Sequence, residues 1–434
     1  MKIRKLFIVM LCIAMVGMFA ACGGGGSSDG GGDASGAITV NIWDANQQAG
    51  IQEICNDWTA QGNPEVKVEV VDWDNYWTLL EAGASGGQMP DVFWCHSNTV
   101  QMYMENDLLL KLNDYLDGVD TSKYYEGIME LYTRSDGNIY ALPKDHDTIA
   151  LLYNKAIFDQ YGVDYPDETW SWDDVYEAAK KITEASGGDV YGYALNTSNN
   201  QDGWYNFVYD YGAQVITDDH KGTTIGSAEG KAGMEMVRKL LTVAAPQSVV
   251  AETGTDSLFQ SGKVGMITQG SWMINSCYTA ENHADYFWSV IPYADVNGNG
   301  QCDDGERWSC YNGLGWAASA NCSNPDACAD LIKYLCSEDA QKKQAKLGVT
   351  MAGMPGISED FASAFEGMDV SAFIQAEDFN LYMRPYTRNT TVWEDALQQE
   401  GAFLVPWQDP SDPAKMEAAC DNAQKIIEDA IANE

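Results

Sequence analysis

Positive charge is what this sequence has least of. Only 25 Lys and Arg stand against 64 Asp and Glu, a formal charge of −39 over 434 residues. That balance repels phosphate backbones and anionic lipid surfaces, so nucleic acid is excluded as a partner. Long hydrophobic runs are missing too: the apolar stretch at residues 6–19 falls short of the ~20 residues a spanning helix needs. Histidine is scarce, with four residues and no zinc-ligand spacing, and no two cysteines form a C-x-x-C pair. Neither an H-E-x-x-H helix motif nor a Walker phosphate loop occurs, which removes the motif-based case for a metalloprotease or a nucleotide hydrolase. What is abundant is aromatic: 14 Trp, 23 Tyr and 12 Phe, in a chain that is 45% hydrophobic. Disordered acidic segments are aromatic-poor, so this chain folds, and its length predicts two or three domains at ~150 residues each.

The N-terminus reads as an export signal. Lys2, Arg4 and Lys5 form a basic start, residues 6–19 an apolar run, and Ala20-Ala21-Cys22 a small-residue cleavage site. The tetrapeptide Phe19-Ala20-Ala21-Cys22 resembles a bacterial lipobox, which implies removal of residues 1–21 and lipidation of Cys22. Residues 22–36 then form a Gly/Ser/Asp-rich tether with too little apolar surface to fold. The expected location is the extracellular face of the bacterial cytoplasmic membrane, with the lipid as the sole membrane contact.

Cysteine usage leaves alternatives open. Beyond Cys12 and Cys22, nine remain, an odd number, so at least one is unpaired or pairs between molecules. Cys302 with Cys310, or Cys322 with Cys328, would form short-loop disulfides in an oxidising setting; buried free thiols are the equal alternative.

Periodicity then sets the fold class. Residues 37–43 and 66–71 read as strands, as do 91–95. Between them Ile51, Ile54, Cys55 and Trp58 follow helical spacing, and residues 76–84 and 100–115 read as further helices. After a break at residues 143–147 the alternation resumes, with a strand at 148–153, a helix at 154–161, and Ser171 and Asp174 set as N-cap and N3 of another helix. Alternation of this kind predicts an α/β fold whose ligand sites lie at the carboxyl ends of the strands. Trp43 with Asp44, Asp72 with Trp73, and His96 stand just beyond three of those ends. With no glycine-rich phosphate loop, two such units imply two lobes around a cleft.

Four stretches carry a family likeness: ALPKDHDTIALLYNK at 141–155, QDGWYNF at 201–207, FQSGKVGMITQGSW at 259–272 and NGLGW at 312–316. They resemble the signature stretches of family 1 extracellular solute-binding proteins, the sugar-binding lipoproteins of bacterial ABC importers, similar in fold to maltose-binding protein. The resemblance runs from residue 37 to the C-terminus. It implies a two-lobed periplasmic-binding-protein (Venus-flytrap) fold with several crossovers: 37–146 plus 315–353 in the N-terminal lobe, 147–314 plus 354–434 in the C-terminal lobe. It further implies a non-enzymatic, monomeric receptor that captures a mono- or oligosaccharide by lobe closure and delivers it to the transmembrane subunits of an ABC permease. Candidate ligand contacts are Trp43, Asp44, Asp72, Trp73, His96, Asp145, Asp147, Trp204, Tyr205, Trp272, Asn312 and Arg384, a set that offers stacking faces and hydroxyl partners together. Trp94 and Trp316 read as core.

One motif lies outside that pattern. Asp295, Asn297, Asn299, Gln301, Asp303 and Glu306, with Gly300 at the sharp turn, match the twelve-position calcium loop D-x-[DN]-x-[DN]-G-x5-E, so a structural Ca2+ is expected, with a polar hairpin as the alternative. No other cofactor is required. Two further readings stay open: a secreted glycoside hydrolase with a carboxylate pair, and a receptor for a non-sugar ligand such as a polyamine.

Overall fold

The computed structural model describes residues 36–399 and 401–434, and its compact unit begins at Ala37. The expected signal peptide, Cys22 and the tether up to residue 35 lie outside the described residues.

Eleven strands follow in chain order among the described residues: β1 (Ile38–Ile42), β2 (Val66–Val70), β3 (Val92–Cys95), β4 (Ala141–Pro143), β5 (Ile149–Asn154), β6 (Tyr191–Ala194), β7 (Val264–Gly270), β8 (Tyr286–Val290), β9 (Trp308–Tyr311), β10 (Gly315–Ala318) and β11 (Asn380–Met383). One sheet has the order β2-β1-β3-β10-β4, a second β6-β7-β5-β8, and β11 and β9 form a two-stranded ribbon. In the first, β1 runs parallel to β2 and β3, while β10 enters antiparallel between β3 and β4. Parallel pairing puts the carboxyl ends of β1, β2 and β3 on one edge, and the loops that leave that edge carry the first wall of the site. The architecture is two-lobed α/β.

Local chemistry explains the elements around that edge. Asp44 caps helix Ala45–Thr59 by accepting from the Asn46 amide, and Ile51, Ile54, Cys55 and Trp58 form its buried stripe. Each such side chain contributes about 1.5–3 kcal/mol when removed from water. Helix Trp172–Ala185 opens with the expected capping box between Ser171 and Asp174. Trp94 and Trp316 are core, as read, with ring centroids 5.9 Å apart on paired strands.

Three segments run side by side where the chain passes between the sheets. Residues 144–148 join β4 to β5, residues 312–314 join β9 to β10, and the chain crosses again near Ala352; bridges tie Asp145 to Ala352 and Asp147 to Asn312.

The structure corrects one expectation here and takes one side of an open alternative. The helix predicted over 100–115 stops at Glu105: Asp107 takes a left-handed φ of 51°, and Leu109 then pairs with Ser319 at the sheet edge. No disulfide forms among the nine cysteines described. Cys302 is exposed while Cys310 is buried within β9, which separates the first proposed pair, and Cys322 and Cys328 are both free thiols.

Candidate ligand-binding cleft

A cavity of about 1060 Å3 lies beyond the first sheet's carboxyl edge, and the loops after β1, β2 and β3 supply one wall. Trp43 follows β1, Trp73 opens the helix after β2, and His96 follows β3. Their rings form a single cluster: Trp43 meets Trp73 edge-on at 5.1 Å and Trp94 at 4.7 Å, and Trp73 meets His96 at 5.6 Å. Trp94 anchors the cluster to the core, while Trp73 remains 42% exposed at the cleft. Across the cavity stands Trp272, half-buried, whose ring folds back over Gly270 at the end of β7. A Cβ at Gly270 would sit 2.0 Å from that ring, so glycine is what permits the position. Aromatic faces on opposite walls suit a ligand with two apolar faces.

Polar groups converge from the crossing segments. His96 Nε2 lies 3.3 Å from the Asn312 amide nitrogen, and its Nδ1 lies 2.9 Å from Asn98 Oδ1 and 3.2 Å from the Asn98 backbone nitrogen. Burial, and then the charge of Arg384, pull its pKa down to about 3, so the ring is neutral at physiological pH. Asp147 Oδ1 accepts from Gln201 Nε2 at 2.5 Å; burial, and then the Asp145 charge, push its carboxyl well above the usual range. Arg384 is buried, donates through Nη2 to Glu394 Oε1 at 2.7 Å, and finds no acceptor for Nε among the described residues. Glu394 also accepts from Tyr205 Oη at 2.7 Å, so the guanidinium is held from behind.

Of the twelve residues expected from sequence, Trp43, Asp44, Trp73, His96, Asp145, Asp147, Trp272 and Arg384 line the cavity. Four do not. Asp72 is spent as the exposed N-cap of helix Trp73–Gly86. Trp204 is fully buried against Phe403 and donates to Asn200 Oδ1 at 2.9 Å. Tyr205 is equally buried and acts through Glu394; Asn312 sits behind His96 and Gln201. Asp145 reaches the wall but is committed: Oδ2 lies 2.5 Å from Lys144 Nζ and Oδ1 accepts from the Leu314 amide at 2.7 Å. Sequence reasoning missed Gln201, Asp256, Gln260, Thr391, Asp395 and Gln398. Gln201 opens one of the quoted stretches and Gln260 lies within another, a signal that was there; the helix Thr390–Leu397 region gave none.

The 295–306 loop lies apart from the cavity wall. Its side chains satisfy one another: the amides of Asn299 and Gly300 donate to the Asp295 carboxylate, both Asn297 and Asn299 donate Nδ2 to Asp303 Oδ2, and Glu306 accepts from Val296 and Asp303. Among the described residues no group of three or more His, Cys, Asp and Glu is gathered as a metal site. For the Asn297 and Asn299 oxygens to face an ion in the cradle, both amides would have to turn.

The model of the bacterial extracellular solute-binding protein family matches residues 44–342. Among curated proteins, a binding protein of Brucella abortus is 25% identical over 270 residues, covering 61% of this chain and 64% of its own length, so the match spans just under two thirds of that relative. Among solved structures, an ABC substrate-binding protein of Listeria monocytogenes in complex with cycloalternan superposes with a TM-score of 0.73 at 19% identity, covering 92% of this chain and 97% of that one. The GacH receptor of Streptomyces glaucescens, studied with acarbose, superposes with a TM-score of 0.74 at 20% identity, covering 91% and 98%. At these identities the structural likeness establishes the fold, and the family match covers more than half the sequence. This chain belongs to the bacterial extracellular solute-binding proteins.

Proposed function

We propose that the protein is the substrate receptor of an ABC importer, and that it captures a mono- or oligosaccharide between its lobes. The observation that carries this reading is the pair of facing aromatic walls, Trp43 and Trp73 on one side and Trp272 on the other, with Asp147, Gln201 and Arg384 converging between them. Sugar C–H faces stack on such rings, and hydroxyls both donate to carboxylates and accept from amides and guanidinium. The neighbours crystallised with cycloalternan and acarbose lend support. Lobe closure would add contacts that the open form lacks, and that excess sets the affinity and the shape offered to the permease. The lobes are taken as 37–146 plus 315–353 and 147–314 plus 354–434, pivoting on the three crossing segments. The receptor works as a monomer, without catalysis, tethered outside the cell through lipid on Cys22. A weak structural Ca2+ at the 295–306 loop belongs to the same proposal, supported by its spacing.

Thermal-shift screening of the purified protein against mono- and oligosaccharides, with and without calcium, tests it. A ligand at 100 times Kd stabilises the fold by about 2.7 kcal/mol, a readily measured shift. Silence across the saccharides would overturn the sugar assignment. A midpoint unmoved by millimolar calcium would remove the metal.

A further inference from the structure

We propose, building on the saccharide reading, that this cleft selects a positively charged saccharide, one that carries free amino groups, and rejects phosphorylated and uronic sugars. The charge inventory of the cavity carries the inference. Six carboxylates line it, from Asp44, Asp145, Asp147, Asp256, Glu394 and Asp395, and Arg384 is the sole Lys or Arg among the described lining residues. Two of the six are neutralised: Asp145 by Lys144 at 2.5 Å and Glu394 by Arg384 at 2.7 Å. Arg384 is thereby charge-paired, although its Nε still has no acceptor among the described residues.

The other four carboxylates form no ion pair among the described residues, although the Arg384 charge reaches Asp147. Asp44 takes the Asn46 backbone amide and the Gln47 side-chain amide, Asp147 the Gln201 amide, and Asp256 the Gln269 amide at 2.7 Å. Asp395 stands exposed on helix Thr390–Leu397. They belong to four separate elements: the turn after β1, the β4–β5 connection, helix Thr255–Gln260 and helix Thr390–Leu397. Carboxyl groups therefore face the cleft from several sides, and low-dielectric walls concentrate the field of those that are ionised. Buried Asp202, whose Oδ1 has no hydrogen-bond partner among the described residues, lies behind Asp256, and burial and then the Asp256 charge push its carboxyl well above the usual range.

The aromatic walls suit the same ligand. Trp43, Trp73 and Trp272 stack on sugar faces and equally receive a cation on their π-faces. The neutral His96 adds no opposing charge. Burial holds the Asp147 and Asp256 carboxyls above their ordinary values, and an ammonium placed beside them favours the ionised form.

Isothermal titration calorimetry compares glucosamine dimer and trimer with their N-acetylated counterparts, with trigalacturonate, and with spermidine as an amine without a sugar. The free-amine saccharides are expected to bind at least ~10-fold tighter than the acetylated ones at low salt, a gap that narrows at ~0.5 M salt. Asp256→Asn and Asp395→Asn, made separately, should each shrink the amine preference more than they weaken the neutral sugar, and trigalacturonate should bind to neither. Equal or tighter binding of the acetylated or uronic sugars would overturn the charge proposal and leave the saccharide reading standing. Spermidine binding with no saccharide binding would overturn both, as would silence from every probe.

Discussion

At the residue scale the decisive contrast is between two tryptophans that the sequence presents alike. Trp204 and Trp272 both follow a glycine-containing motif, and the resemblance offers both as ligand contacts. Trp272 reaches the cleft because Gly270 clears room for its ring, whereas Trp204 is sealed by Phe403 and Trp407, residues far along the chain that no local pattern could pair with it. Replacing Trp272 by Ala should therefore weaken ligand binding by about tenfold or more while leaving the unliganded fold close to wild type. Trp204→Ala should instead cost about 3–5 kcal/mol of stability, read by urea unfolding. Unchanged ligand affinity in Trp272→Ala would remove that wall from the site. Trp43, Trp73 and His96 were legible for a different reason: each stands one step beyond a strand, where the parallel alternation puts ligand loops. Asp145 was legible as a cleft residue, but Lys144 beside it had already claimed its charge.

At the element scale the sequence speaks clearly where the signal is local and poorly where pairing is distant. Helix Ala45–Thr59 was visible in its i, i+3, i+4, i+7 stripe. The truncation of the helix predicted over 100–115 was not, because it depends on Leu109 finding Ser319 across the chain. The entry of β10 between β3 and β4, and the β9–β11 ribbon, are distant pairings of the same kind. The capping box on helix Trp172–Ala185 is a local signal that can be tested directly. Ser171 Oγ accepts from the Asp174 amide at 3.3 Å, and Asp174 Oδ2 accepts from the Ser171 amide at 2.8 Å. Ser171→Ala removes the first bond and should destabilise the protein by about 1 kcal/mol in urea unfolding, with Ser171→Thr restoring most of it. No loss at all in the alanine variant would mean the helix start is fixed by its packing alone.

At the scale of the whole molecule the excess of acid governs how stability depends on pH. With a formal charge of −39, repulsion within the fold grows as pH rises. Asp147, Asp202 and Asp210 add to this, because burial pushes each carboxyl well above its ordinary value. A group that holds its proton more tightly folded than unfolded stabilises the fold at low pH, and that contribution is lost as pH climbs toward the folded value. His96 acts in the opposite sense: pulled from 6.5 to about 3, it contributes stability that is present above 6.5 and lost as pH falls toward 3. Glu338 and Asp409, held down to about 2 by hydrogen bonds from Lys342 and Lys415, lose their contribution in a lower window, as pH drops from their ordinary 4.5 and 3.8 toward 2. Three buried acids and the net repulsion outweigh one histidine between pH 8 and 5, and the paired carboxylates take over below about pH 4. The melting midpoint should therefore rise on acidification from pH 8, peak near about pH 5 and fall steeply below about pH 4. Adding ~0.5 M salt should flatten the part of the slope due to net charge and leave the part due to the enclosed carboxyls. A midpoint that rose steadily toward pH 8 at both ionic strengths would mean that these carboxyls are ionised within the fold.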